Sequence, residues 1–79
     1  MELFISQATL LPPPAERKQL REALGILQQE LAHHLGVSVQ TIWSWETGRG
    51  EPTGARRTRY GNALAEMRSR LEVNGMWDD

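Results

Sequence analysis

Gly36 sits where the chain must turn sharply. Leu31, Ala32 and Leu35 precede it at the spacing of one helix face, Val37 and Ser38 follow at once, and Ile42 and Trp45 continue an apolar face beyond. A glycine between two short periodic runs supplies a tight turn, because it has no Cβ to exclude left-handed backbone. Ala32 is small where two crossing helices approach closely. Leu31, Leu35, Val37, Ile42 and Trp45 are apolar where such a pair must be held against its surroundings. One match would mean little, but all seven positions meet the demands of two short helices joined by a tight turn.

Local punctuation extends the reading. Pro12-Pro13-Pro14 breaks any preceding structure, and its third proline can open a helix. Glu16 suits the positive end of that helix dipole; Leu20, Ala23 and Leu24 form its apolar stripe, and Gly25 closes it. The pattern predicts helices over about 14–24, 28–35 and 39–46, the third capped by Ser38 and stapled by Val37 against Ile42. Gly48 to Pro52 is a loop. Thr53 can cap a long fourth helix whose seam is Tyr60, Leu64, Met67 and Leu71, with Asn74-Gly75 as its stop. The expected fold class is all-α, a compact four- to five-helix bundle. Its parts are an N-terminal arm (1–13), a helix-turn-helix domain (14–67) and a helix extension with tail (68–79).

Seventy-nine residues make one small domain. Without cysteine there are no disulfides or thiolate metal sites, which fits a reducing compartment. The start, Met1 to Ile5, lacks a basic region and its apolar run is short, so neither a signal peptide nor a membrane span is expected. A cytoplasmic protein of bacterial or phage type is the expectation. Nine basic residues face ten acidic ones, a formal charge of −1, which taken alone argues against a nucleic-acid partner. The distribution is uneven, however. Glu2, Asp78 and Asp79 lie at the ends, while Arg49, Arg56, Arg57 and Arg59 crowd into eleven residues with one acid, Glu51. That cluster is read equally as phosphate contact and as a solvated face.

The segments Leu24 to Ala32, Leu35 to Ser38, Thr41 to Gly48 and Glu51 to Thr53 resemble the phage-repressor-like (Cro/Xre-type) helix-turn-helix family. The resemblance covers about residues 14–67. It implies a DNA-binding regulator whose third helix enters the major groove. Carried over position by position, the implied base-reading residues are Val39, Gln40 and Ser44, with Thr41 and Trp43 flanking them. Gln40 suits an adenine edge, and Val39 offers apolar contact of the kind a thymine methyl accepts. Gln28, Thr47, Arg49 and Arg56 are the implied phosphate contacts, and Arg21 with Glu46 resembles a family ion pair joining the first helix to the end of the third. One position departs from the family pattern. Leu27 stands where Thr or Ser commonly caps the second helix, leaving Glu30 as half a capping box and Ile26 with Leu31 as a staple.

Plainer readings stand beside these. Trp45, Tyr60, Leu64 and Met67 are core. Trp43 lies along DNA, or else packs or meets solvent. His33 and His34 are adjacent on a helix and do not face one another, so no metal site is expected. No cofactor, small-molecule ligand or catalytic constellation is legible, and the protein is not expected to be an enzyme. Double-stranded DNA is the expected partner, bound by a homodimer on a two-fold operator as a repressor. Dimer surfaces are the seam to Leu71 with Val73, Met76 and Trp77, favoured over the N-terminal Leu3, Phe4, Ile5, Leu10 and Leu11. The alternative is an antitoxin or other protein-interaction module that uses the fold to bind a protein through its ends.

Overall fold

The computed structural model describes residues 11–73, and these form four α-helices: α1 (Pro14–Ala23), α2 (Gln28–Leu35), α3 (Val39–Thr47) and α4 (Gly54–Val73). The fold is all-α, and no helix among the described residues is long and apolar enough to cross a membrane. The expected bounds hold to within one residue at α1 and α3.

The helix ends show why. Ile26 N donates to Arg21 O and Gly25 N to Glu22 O, and the pattern recurs when Val37 N donates to Ala32 O and Gly36 N to His33 O. Each pair returns two otherwise orphaned carbonyls to hydrogen bonding as the chain leaves the helix. At Gly36 this requires φ of +72°, although a Cβ there would meet nothing within 4 Å. The requirement for glycine is therefore conformational and not a matter of space. Ser38 Oγ accepts from Thr41 N at 3.1 Å and opens α3. At the start of α2, Leu27 supplies no side-chain cap, and only Glu30 reaches back, Oε1 accepting from Leu27 N at 2.8 Å.

Leu20, Leu31, Ala32, Leu35, Ile42, Trp45, Tyr60, Leu64, Met67 and Leu71 make one core, with Leu11, Ala23, Leu24, Ile26, Val37 and Ala63 packed around it. α3 lies on both α1 and α2, and α4 braces the set chiefly through α1, where Arg68 pairs with Glu16. Leu71 is fully buried, which corrects its assignment to a dimer surface: α4 overlaps α1 far enough that this turn is needed internally. Val73 is exposed. Leu3, Phe4, Ile5, Leu10, Asn74, Gly75, Met76 and Trp77 lie outside the described residues.

Tyr60 stacks on Trp45, ring centroids 4.6 Å apart, with its hydroxyl buried and lacking a hydrogen-bond partner. Burial pushes its phenol well above the ordinary value of 10.0, and the Glu46 carboxylate adds to the effect. Below that value both folded and unfolded chains hold the proton. Above it the unfolded chain releases the proton first, so stability falls as pH rises. Tyr60→Phe is expected to keep neutral-pH stability within about 1 kcal/mol and to flatten the decline above pH 10, as measured by urea unfolding on both sides of that value. Leu27→Ser, which restores a capping oxygen, is expected to raise stability by about 1 kcal/mol in the same assay.

Candidate nucleic-acid interface

The outward face of α3 follows from its inward one. Ile42, Trp45 and Glu46 are buried, at the i, i+3, i+4 spacing of a single face. The opposite face carries exposed Val39, Gln40, Trp43 and Thr47, with Ser44 half-buried at its edge. Trp43 is one turn from both Val39 and Gln40, so it occupies the middle of this face and does not flank it. The Arg49 guanidinium lies 5.2 Å above its ring, a cation–π contact that orders a cationic side chain beside the indole. Thr41 is half-buried, lies toward the other side of the helix, and holds its hydroxyl 2.9 Å from Ser38 Oγ, so its polar atoms take part in the cap.

Ser44 is bounded by the loop that follows. A Cβ on Gly50 would stand 2.8 Å from Ser44 Oγ, so the bare α-carbon allows this hydroxyl its position. The Ser44 carbonyl meanwhile accepts from Arg49 N and Gly50 N, which folds the loop back over the helix end. Thr47 donates its hydroxyl proton to Trp43 O at 2.9 Å, with Ser44 O as a second acceptor at 3.3 Å. In this arrangement Thr47 has no side-chain proton left for a phosphate oxygen.

Behind the face is a buried polar knot. Arg21 Nε donates to Glu46 Oε2 at 2.6 Å and Nη2 to Oε1 at 2.9 Å, while Nη1 donates to Ile26 O at 2.7 Å. The hydrogen-bonded carboxylate raises the guanidinium pKa still further, against the opposing effect of burial. Gln28 Nε2 also donates to Glu46 Oε1, at 3.1 Å. The side chain expected at a phosphate is thus tied by one N–H to the protein. Its second N–H and the unpaired backbone N–H groups of the first turn of α2 remain suited to an anion.

Arg17 is the functional residue that sequence reasoning missed. It is buried, donates from Nε to Pro12 O at 2.8 Å and from Nη1 to Trp45 O at 3.0 Å, and places Nη2 on the Glu51 carboxylate at 3.1 and 3.2 Å. Trp45 O belongs to the last turn of α3, whose carbonyls lack partners within the helix, so Arg17 caps that helix with a cation at its negative end. The available signal was a spacing. Arg17, Leu20, Arg21 and Leu24 share one face of α1, which places two arginines on a stripe that ought to be apolar.

The basic cluster divides. Arg59 Nη2 reaches Leu35 O at 3.4 Å, at the C-terminal end of α2, and Arg57 Nη1 lies 3.9 Å from Glu51. Arg56 is exposed. Lys18 is also exposed, near Gln28 and Trp43 at the edge of the α3 face. His33 and His34 face solvent.

Residues 18–56 match the model of the family described as Helix-turn-helix, a segment that runs from α1 through α3 to the start of α4. No curated protein and no solved structure matches the chain.

Glu46→Ala would leave Arg21 buried without its counter-charge. A loss of about 3–5 kcal/mol is expected in denaturant unfolding, partly recovered when Arg21 is also replaced by Met.

Proposed function

Because residues 18–56 place this chain in the Cro/Xre-type helix-turn-helix family of DNA-binding regulators, we propose that it is a sequence-specific transcriptional repressor. It acts as a homodimer on a two-fold operator, laying α3 in the major groove. The observation that carries the reading is the exposed face of Val39, Gln40 and Trp43 on a helix clamped from behind by Arg17 and by Arg21 with Glu46. Rigid backing makes an exposed side chain a reader, because it need not be ordered at the moment of contact. Gln40, which can both donate and accept, reads a base edge, and adenine presents the matching pair. Ser44 contributes from the edge of the face. The first turn of α2 with Gln28, together with Arg49 and Arg56, takes phosphates and sets register without reading sequence. A single α3 spans only a few base pairs, and pairing two copies on half-sites one helical turn apart supplies the missing specificity.

Gln40→Ala is expected to weaken the preferred duplex by about 1–3 kcal/mol and relax preference at one position, read by fluorescence anisotropy on sites selected from random DNA. Unchanged affinity and an unchanged site would remove α3 as the reader. Arg56→Ala should instead weaken all duplexes alike and reduce the slope of log K against log salt by about one.

A further inference from the structure

The α3 face carries more apolar surface than hydrogen-bonded base reading requires. Four large hydrophobic side chains stand exposed among the described residues: Leu27, Val39, Trp43 and Val73. The first three line one shallow depression between the start of α2 and α3, with Lys18 and Gln29 among its other walls. Val73 is elsewhere, in the last described turn of α4. Large apolar groups gathered on a small protein's surface mark an interaction site. Leu27 makes the point sharply: an apolar side chain, 61% exposed, occupies a helix cap that consequently lacks a side-chain hydrogen bond. That position loses local stability and gains nothing for the core.

The surroundings identify the occupant. The patch is continuous with Gln40 through Val39 and Trp43; Lys18 and Arg49 flank it with positive charge, against one exposed carboxylate, Glu22, while Arg21 is neutralised by Glu46. Apolar side chains inside a rim whose balance is positive, Lys18 and Arg49 against Glu22, suit a polyanion that carries apolar groups of its own. On base edges in the major groove those groups are the C5-methyls of thymine. Resting on the DNA-reading function proposed above, we infer that Leu27, Val39 and Trp43 form a methyl-reading patch that selects thymines in each half-site. Gln40 reads hydrogen-bonding atoms beside it, so the half-site combines one polar position with neighbouring methyl positions.

The test begins with duplexes selected from random DNA by the wild-type protein. Each thymine of the half-site is then replaced by uracil, which removes the methyl and keeps every hydrogen-bonding atom. The expected loss is about three- to fivefold at one or more thymines, the scale of one buried methyl group. That loss should vanish in Val39→Ala or Trp43→Ala, exposed positions whose change leaves the thermal unfolding midpoint in place. The inference is overturned if the selected site lacks thymine, if uracil is silent everywhere, or if its effect persists in Leu27→Ala, Val39→Ala and Trp43→Ala alike. Each of those results leaves sequence preference intact and so leaves the DNA-reading function standing. Failure to select any duplex overturns that function and the inference with it. Should Trp43→Ala shift the free protein from dimer to monomer in sedimentation while the uracil effect remains, the patch joins two copies and the inference falls.

Discussion

Glu46 is a carboxylate held out of water on the inner side of a short helix, and such a group persists only when donors meet it on every side. Here the donors come from two directions, the guanidinium of Arg21 on α1 and the amide of Gln28 at the start of α2. Three helices are therefore fixed against one another by a single acidic group. Apolar packing alone would hold α3 in place but would let it rotate by small amounts, since dispersion contacts have little directional preference. The bidentate pair has directional preference. Arg17 completes the arrangement by holding the other end of α3 through the Trp45 carbonyl. The exposed side of α3 is thus defined by polar bonds on its hidden side.

The helix bounds were legible because their signals are local. Proline at the first turn, Ser38 at a cap and the glycine turns act within a few residues of where they stand, so no tertiary knowledge is needed to place them. The core was legible for a related reason, since Tyr60, Leu64, Met67 and Leu71 repeat at helical spacing. What Leu71 packs against was not legible. Its burial depends on how far α4 runs alongside α1, and spacing within one helix says nothing about overlap with another. The central place of Trp43 could have been read from its spacing to Val39 and Gln40. Thr41 shows the opposite limit, since its side chain is claimed by Ser38, and a hydroxyl at such a position can turn inward or outward at similar cost. Arg17 is the hardest case. Its partners are the backbone carbonyls of Pro12 and Trp45 and the carboxylate of Glu51 far along the chain, and neither a backbone acceptor nor so distant an acid leaves a mark in a sequence.

The near-neutral charge also resolves once the arginines are placed. Arg17, Arg21, Arg59, Arg68 and Arg70 are engaged with carboxylates or helix-end carbonyls, so much of the basic count serves the fold. Guanidinium suits that work because its planar fork can meet two acceptors at once and stays charged when desolvated. Lys18, Arg49 and Arg56 stand exposed, the first two beside Trp43 on the proposed DNA-facing side. The sum of charges describes the molecule poorly, since most of its terms cancel internally.

The close approach of Gly50 to Ser44 makes the loop and the reading helix mechanically one part. Under the proposed docking, Gly50 need not touch a base to influence which base is chosen, because any side chain there would push the Ser44 hydroxyl to another rotamer. A lineage diverging at this glycine could drift to new operators while its third helix stayed unaltered. Two relatives with identical α3 sequences would then answer to different promoters, and a recognition code written only in terms of that helix would misassign one of them.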